Sequence, residues 1–340
     1  MRRVALLMLA MAGAAFGQVQ LTVHGAERRV DVTIDGRPFT AYVWPASLKK
    51  PVLYPLITGD GVTVTRGYPL EPRTNERVDH PHHAGMWFNY GNVNGFDFWN
   101  NSDAIADKDR AKYGTIRQSR IVGMKSGADR GELTVEQIWQ GGDGKDILKD
   151  TTAYVFLKRK GARVIDQTVV LEALDKAVFN DDKEGLLGIR VASWLESPEE
   201  KGGVFMDANG KPTKVDAVPN STATGVYETS EGLKGPAVWS TRGRWCSLTG
   251  HDPAGHTVTV GILDEPKNPG YPTYWHARGY GLFAANPLGA SVFDTKAPKF
   301  SYTIEKGKTA TFKYRVVLFD HAADKAEMDK EADAFAAMTH

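Results

Sequence analysis

The sequence predicts an all-β protein, a large antiparallel β-sandwich of two sheets that ends in a C-terminal helix. Three observations support this fold class. Apolar residues alternate with polar residues at a period of two along most of the chain, as they do in strands with one buried face. Gly, Pro, Asn and Asp interrupt this alternation at short intervals, which is typical of antiparallel turns. Several paired segments are long, and long paired strands favour two stacked sheets over a small barrel.

Residues 1–17 have the organisation of a signal peptide. Two arginines precede an apolar run of about a dozen residues, and Ala15 and Gly17 are the small residues of a cleavage site. We expect cleavage before Gln18 and a mature protein that is periplasmic or extracellular. An uncleaved membrane anchor is the alternative, although the apolar run is short for a bilayer span. The remaining residues, 18–340, contain enough hydrophobic residues for one large domain.

Pairs of predicted strands follow one another through the mature chain. In residues 28–44, three β-branched residues share one face, and Asp35-Gly36 indicates a hairpin turn. The same pattern recurs in three further segments: 151–174, 245–264 and 299–320.

Only the tail departs from the strand pattern. Residues 321–338 are rich in Ala, Glu and Lys, and Met328, Ala332, Phe335 and Met338 fall on one helical face. We therefore expect a terminal helix that packs on a sheet.

Composition excludes several classes of partner and site. Without the two N-terminal arginines the formal net charge changes from +1 to −1, and no basic block remains, so nucleic acid is not an expected partner. No second stretch is apolar over the length of a membrane span. The single cysteine, Cys246, cannot form an intrachain disulfide, and its strand context favours a buried residue over a nucleophile. Phosphate-loop, dinucleotide and Gly-x-Ser-x-Gly motifs do not occur.

Three of the nine histidines lie in the segment "DHPHH", residues 79–83. If this segment is extended, His80 and His82 point to one side, while Asp79 and His83 point to the other. Two imidazoles on one side can divide the roles of general acid and general base, and Asp79 can orient one of them from behind.

The same two imidazoles can instead ligate one divalent transition metal. His80 and His82 would then need a third ligand, for which His276 is the candidate. Glu76 and Asp97 are the carboxylates that could substitute for it. The sequence leaves open whether one metal ion or none is present, and a purely structural role for the histidines is the remaining alternative.

Aromatic, amide and carboxylate residues follow in the segment "WFNYGNVNGFDFW", residues 87–99. Exposed aromatic rings stack on the apolar face of a sugar, and amide and carboxylate groups bind its hydroxyls. This pattern makes Asn94, Asp97 and Trp99 candidates for substrate binding, with His83 beside them. The alternative is that the aromatic residues belong to the core.

A second group of polar residues lies in "YPTYWHARGYGLFAANPLG", residues 271–289. His276 and Arg278 share a face if this segment is extended, and Asn286 begins a turn. Arginine suits a carboxylate or an array of hydroxyls, so Arg278 and Asn286 are candidate substrate anchors. Arg66 is a further candidate. Glu184 and Arg190 complete the set of residues that a ligand could contact.

Four motifs, "TRGYP", "DHPHHAGMWF", "NVNGFDFW" and "WHARGYGLFAANPLG", resemble an exported bacterial family labelled "methane oxygenase PmoA"-like. The similarity extends over roughly residues 25–320. It implies a secreted, β-rich protein, often encoded beside sugar-processing genes. The family-motif positions are Asp79, His80, His82, His83, His276, Arg278 and Asn286. The label itself implies no activity here, because the methane monooxygenase subunit of that name has several membrane spans and this chain has none.

The predicted architecture is also similar to the two-sheet supersandwich of aldose mutarotases and polysaccharide-lyase domains, in which histidines and carboxylates act on sugars. Together these patterns predict an exported carbohydrate-active protein of lyase, hydrolase or epimerase type, with a carbohydrate or sugar-acid ligand. One alternative is a mononuclear metal-dependent oxygenase, and the other is a noncatalytic glycan-binding protein.

Overall fold

A computed structural model describes residues 18–199, 201–218 and 222–338. The predicted signal peptide, residues 1–17, lies outside the described residues. In chain order the strands are β1 (Val19–His24), β2 (Arg29–Ile34), β3 (Arg37–Val43), β4 (Val52–Leu53), β5 (Met86–Tyr90), β6 (Thr115–Lys125), β7 (Arg130–Gln140), β8 (Asp146–Arg159), β9 (Ala162–Ala173), β10 (Ala177–Asn180), β11 (Gly185–Arg190), β12 (Lys201–Met206), β13 (Pro212–Ala217), β14 (Val226–Thr229), β15 (Trp245–His251), β16 (Thr257–Asp264), β17 (Tyr274–Ala277), β18 (Leu282–Asn286), β19 (Ser301–Ile304) and β20 (Thr309–Phe319). The α-helices are α1 (Ala290–Phe293) and α2 (Lys325–Met338), and short 3-10 turns cover Asp107–Lys112, Ser193–Leu195 and Gly235–Val238.

Two eight-stranded antiparallel sheets contain most of these strands, which confirms the predicted fold class. The first sheet has the order β1-β2-β3-β4-β5-β11-β18-β17, and the second has the order β14-β15-β16-β20-β9-β8-β7-β6. Two small sheets, β10-β19 and β12-β13, lie outside them. No helix of the described residues is long and apolar enough to cross a membrane.

The main hydrophobic core lies between the two large sheets. Phe88 of the first sheet packs against Trp139 and Phe312 of the second, with ring centroids 6.4 and 5.8 Å apart. Because side chains alternate along a strand, each neighbour of a core residue points to the opposite face of its sheet. The outer face of the first sheet therefore carries the side chains between the core positions.

The predicted strand pairs are present with their turns. The segment 151–174 contains most of β8 and all of β9, joined at Lys160-Gly161. Asp35 and Gly36 both have positive φ, at 55° and 73°, as a two-residue hairpin turn between β2 and β3 requires. The segment 202–225, whose Gly, Pro and Asn content suggested a long loop, instead contains most of the hairpin β12–β13.

Helix α2 confirms the predicted terminal helix and begins four residues later than residue 321. Its start is set by Asp324, whose Oδ1 accepts a hydrogen bond from the backbone N–H of Glu327. Met328, Ala332 and Phe335 are buried on the second sheet, as the helical pattern predicts. Met338 was expected on the same face, but it is 58% exposed because it ends the last turn.

Candidate functional site

The outer face of the first sheet carries a row of residues from four adjacent strands. Trp87 of β5 pairs with Gly188 of β11, Gly188 pairs with Ala284 of β18, and Ala284 pairs with His276 of β17. A Cβ at position 188 would lie 2.6 Å from the Trp87 ring, so this position has no room for a side chain.

The histidine segment enters this face as a tight turn and not as the extended segment that we predicted. His80 has a φ of 43°, and the backbone N–H of His83 donates to the carbonyl of His80 at 2.9 Å. Pro81 occupies the second position of this turn, where its fixed φ is favourable. The expected alternation is therefore wrong: the His80 ring stacks on His83 at 4.9 Å, and the His82 ring lies edge-on to His83 at 4.3 Å.

Arg66 holds the turn in this shape. Its guanidinium is 1% exposed and donates to the carbonyls of Arg77, His80 and His83 as well as to the carboxylate of Asp79. These bonds use both terminal nitrogens within the protein. Arg66, predicted to contact substrate, is thus placed to position the histidines.

Asp79 lies between two buried arginines. Its Oδ1 accepts hydrogen bonds from Arg66 at 2.6 Å and from Arg190 at 2.8 Å, and Nδ1 of His80 lies 3.2 Å from the same oxygen. Burial alone raises the pKa of Asp79, but the close contact with Nδ1 of His80 and the charges of Arg190 and Arg66 outweigh it, so this pKa lies well below its usual value. Asp79 is therefore an ionised carboxylate at neutral pH.

Asp79 and His80 form a carboxylate–imidazole pair. The His80 side chain is 39% exposed, and its Nδ1 is buried toward Asp79, which leaves the Nε2 edge on the exposed side. The His80 ring stacks on the His83 ring, and it also lies nearly parallel to the Tyr280 ring, with the centroids 5.2 Å apart. The ring is thus fixed in orientation while one nitrogen stays accessible.

The other two histidines of the turn are neutral, buried groups. Burial, followed by the charge of Lys50, lowers the pKa of His82 to about 2. Burial also lowers the pKa of His83 well below its usual value. His83 Nε2 accepts a hydrogen bond from Nε1 of Trp99 at 3.2 Å, and Nη1 of Arg190 lies 3.4 Å from its Nδ1. His83 packs among side chains and carries no exposed edge.

Lys50 approaches the same turn from the segment before β4. Its ammonium donates to the carbonyl of His82 at 2.7 Å and lies over the Trp87 ring at 5.2 Å. Burial lowers the pKa of Lys50 to about 7, partly opposed by the charge of Asp97. Sequence reasoning missed this residue, because a lysine between Lys49 and Pro51, far from the histidines in sequence, gives no signal of its own.

His276 lies near the turn but does not join it. Its Nδ1 donates to the carbonyl of Lys183 at 3.0 Å, which leaves the lone pair on Nε2, and this buried atom has no hydrogen-bond partner among the described residues. Burial, followed by the charge of Arg278, lowers the pKa of His276 to about 3. The carboxylate of Glu184 is 3.7 Å from Nδ1, and the ring of Trp239 lies edge-on at 4.9 Å.

The predicted metal ligands do not fit a metal ion. In the part of the chain that the structure describes, no three His, Cys, Asp or Glu side chains converge in an arrangement that could hold one. His80, His82 and His276 are accordingly not a ligand set here, and Glu76 instead accepts a hydrogen bond from the backbone of Gly67. No step of the chemistry below passes through a metal.

A cavity of about 250 Å³ lies beside the His80–Tyr280 stack, and we call it the first cavity. Its polar lining residues are Ser197, Glu199, Lys201 and Arg278, and its aromatic lining residues include Trp239 and Tyr280. The Arg278 guanidinium lies 4.2 Å above the Trp239 ring, and that of Arg190 lies 4.9 Å from the Tyr280 ring. Donors, acceptors and aromatic rings thus surround a small space, and His80 adjoins it through Tyr280, on which its ring stacks.

Four other predicted contact residues are engaged within the fold. Asn286 donates to the carbonyl of Asp182 and accepts from the backbone of Leu288. Asn94 bonds to the backbone at both ends of its amide, far from the turn. Asp97 caps the turn that follows it by accepting the backbone N–H groups of Trp99 and Asn100, and Trp99 is fully buried.

The aromatic run after the histidines belongs to the protein interior. Trp87, Phe88, Phe98 and Trp99 are buried, and Phe96 packs against the core. The prediction of an exposed sugar platform in this run is therefore wrong. Trp239 and Tyr280, which line the first cavity, come from elsewhere in the chain. Tyr280 follows His276 and Arg278 at the same spacing of two residues, and this signal was missed in the sequence.

A protein-family model described as a family of unknown function, DUF6807, matches residues 29–333. The chain therefore belongs to this family. The match carries no information about the methane-oxygenase label. No curated protein gives a significant match.

Solved structures with a similar arrangement of strands have low sequence identity to this chain. A galactose mutarotase-like protein from Clostridium acetobutylicum is 9% identical, with a TM-score of 0.40, over 89% of this chain and 98% of that one. A galactose 1-epimerase from Lactobacillus acidophilus is 11% identical, with a TM-score of 0.35, over 90% and 98%. A GH36 α-galactosidase from Geobacillus stearothermophilus is 11% identical, with a TM-score of 0.37, over 89% of this chain; the match spans 41% of the α-galactosidase.

Proposed function

We propose that the protein is an exported carbohydrate-processing enzyme of epimerase or lyase type, in which His80 transfers a proton to or from a small sugar or sugar acid. The observation that carries this proposal is the Asp79–His80 pair, whose imidazole stacks at 5.2 Å on Tyr280, a residue that lines the first cavity. An ionised carboxylate 3.2 Å from Nδ1 favours the tautomer with its lone pair on the exposed Nε2. The same carboxylate stabilises the imidazolium that forms when Nε2 takes a proton.

The lining of the first cavity supports a ligand that carries many hydroxyl groups. A sugar hydroxyl both donates and accepts hydrogen bonds, and the lining offers cationic donors, the carboxylate of Glu199 and the hydroxyl of Ser197. Arg278 is placed to bind a carboxylate or two neighbouring hydroxyls of the ligand. At about 250 Å³ the cavity is smaller than sites for drug-sized ligands, which suits one sugar ring.

His82, His83 and His276 have supporting roles in this proposal. Their pKa values are lowered by burial, so they stay neutral and transfer no proton at neutral pH. The unpartnered Nε2 of His276 is a hydrogen-bond acceptor behind Trp239, available to a ligand hydroxyl if that indole moves. The proton transfer itself is assigned to His80 alone.

The test is proton exchange in D₂O, monitored by ¹H NMR over a panel of free hexoses, hexuronic acids and their glycosides. Wild type is expected to exchange a ring proton, interconvert epimers or form a double bond on at least one member. His80→Asn keeps the size of the side chain but lacks the base, and it should lower the rate by about 100-fold or more. A His80→Asn variant that is folded and retains the wild-type rate would falsify the assignment.

His256→Asn is the matched control. His256 also pairs with an aspartate, Asp252 at 2.9 Å, but this pair lies on an exposed hairpin end between β15 and β16. Its loss should leave the rate unchanged. Sugar binding without turnover in wild type would instead favour a noncatalytic glycan-binding protein.

A further inference from the structure

A second cavity, of about 400 Å³, adjoins the first and contacts the hairpin β12–β13. Ser197 and Glu199 line both cavities. We propose that the second cavity is a separate binding subsite, so that the preferred ligand is a glycoside or disaccharide whose second unit lies there. This inference rests on the proposed function, because it assumes that the first cavity holds the reacting sugar ring.

The walls of the second cavity combine an apolar surface with buried charge. Phe205, Val215 and Ala217 of the hairpin form part of the apolar surface. Beside this surface Arg77 donates to the carboxylate of Glu196 at 3.0 Å, and its guanidinium lies 4.6 Å from the Phe205 ring. An apolar surface beside polar groups matches a sugar ring, whose faces are apolar and whose edge carries hydroxyls.

Glu196 has an acceptor that the protein leaves unused. Its side chain is 7% exposed, and Oε1 has no hydrogen-bond partner among the described residues, although Nη2 of Arg190 lies 3.9 Å away. A buried carboxylate oxygen without a donor is unfavourable in the free protein. Glu196 lines the second cavity, so the proposed ligand would lie beside its carboxylate.

The two cavities are continuous along one stretch of backbone. The N–H of Ser197 donates to the carbonyl of Gly279 at 2.9 Å, so the segment that leads to Glu199 lies beside the segment of Arg278 and Tyr280. A Cβ at Gly279 would collide with the carboxylate of Glu199, which shows how closely these segments approach. A ligand that spans both cavities would pass this carboxylate.

Size supports the same conclusion. Small-molecule sites commonly have volumes of about 300–1,000 Å³. The first cavity alone lies below this range, and the two cavities together lie within it. A free hexose would leave the second cavity unfilled, whereas a two-unit sugar would bury a further apolar face against the hairpin.

The experiment compares binding of free hexoses, methyl glycosides, 1,4-linked disaccharides and 4-nitrophenyl glycosides by isothermal titration calorimetry. Ala217→Trp places an indole into the second cavity from an exposed position of β13. Asp216→Trp is the matched control, because its neighbouring side chain points to the opposite face of the same strand. Circular dichroism and thermal unfolding check that both variants fold as wild type does.

We expect wild type to bind at least one two-unit ligand about tenfold or more tightly than the corresponding free hexose. Ala217→Trp should remove this difference without changing hexose binding, and Asp216→Trp should preserve it. Equal affinity of wild type for one-unit and two-unit ligands, or an equal loss of both in Ala217→Trp, overturns the inference and leaves the role of His80 standing. Failure of every sugar to bind wild type overturns the inference and the proposed function together.

Discussion

Replacement of Asp79 by asparagine tests the charge balance that holds the histidine turn. The substitution keeps the shape of the side chain but removes the negative charge that Arg66 and Arg190 both contact. These two guanidiniums are 1% and 0% exposed. Breaking a buried ion pair from one side costs about 3–5 kcal/mol, because the remaining charge is left without compensation.

The structure favours the lower end of this range for Asp79→Asn. The carboxylate itself is 31% exposed, and Arg66 keeps its three backbone acceptors in the variant. We therefore expect a loss of about 3 kcal/mol in the free energy of unfolding at pH 7, or about 6 °C in Tm for a domain of this size. Urea unfolding followed by tryptophan fluorescence measures this loss.

Acid should reduce the difference between Asp79→Asn and wild type. The folded-state pKa of Asp79 lies below its unfolded value of 3.8, so the carboxylate contributes stability above that value and loses it as the pH falls through the folded-state pKa. The difference should hold from pH 7 to about pH 5 and decrease below pH 4. Asp146→Asn is the control, since Asp146 pairs with Arg117 at the surface and should cost less than about 1 kcal/mol. A loss at Asp79 no larger than that at Asp146 would refute the reasoning.

Two further predictions concern residues around the turn. Lys50→Met tests the lowered pKa of Lys50. Between pH 7 and pH 9, the free energy of unfolding of wild type should rise relative to that of the variant, by up to about 1.4 kcal/mol per pH unit. The reason is that the folded-state pKa of about 7 lies below the ordinary 10.5, so the unfolded chain binds more protons in this interval. Urea titrations at pH 6, 7.5 and 9 measure it, and a difference independent of pH contradicts it. For Gly188→Ala, the new methyl would meet the Trp87 ring, so we expect a loss of about 1–3 kcal/mol. Gly123→Ala, in a strand position with no atom within 4 Å of the added Cβ, should change stability by less than about 0.5 kcal/mol, and equal effects at the two glycines would contradict the packing argument.

Local sequence patterns were sufficient to predict the fold class, because each pattern follows from a physical requirement within its own segment. Alternation in 151–174 follows from one buried face per strand, and the turn at Lys160-Gly161 needs a positive φ, which Gly161 has at 71°. The helix at 321–338 was readable from its apolar stripe. The hairpin β12–β13 was not predicted as strands, because most of its residues are exposed. Neither strand has a fully buried face, so its apolar and polar residues do not alternate.

The candidate site was only partly readable because it depends on long-range contacts. The sequence drew attention to residues 79–83, but the left-handed backbone at His80 follows from acceptors that Arg66 reaches 14 and 17 residues away. Trp239 meets Arg278 and His276 only through the approach of a 3-10 turn to β17. The alternation of apolar residues shows which face of a strand is buried. It carries no information about which distant side chain packs against that face.

The arrangement around Asp79 is one that stability alone does not favour. Two fully buried guanidiniums share one oxygen of a partly exposed carboxylate, although apolar residues in such positions are often as stable or more stable than buried ion pairs. His80 adds a left-handed backbone conformation, which for a residue with a side chain is less favourable than the ordinary regions. The buried arginines and the left-handed backbone hold one imidazole at the surface. His80 is 39% exposed, whereas His82 and His83 are buried at 9% and 1%. The physical reading is therefore that the arginines and the strained turn fix the orientation of His80 against Tyr280, a residue that lines the first cavity, and proton transfer requires an imidazole that is fixed and accessible in this way.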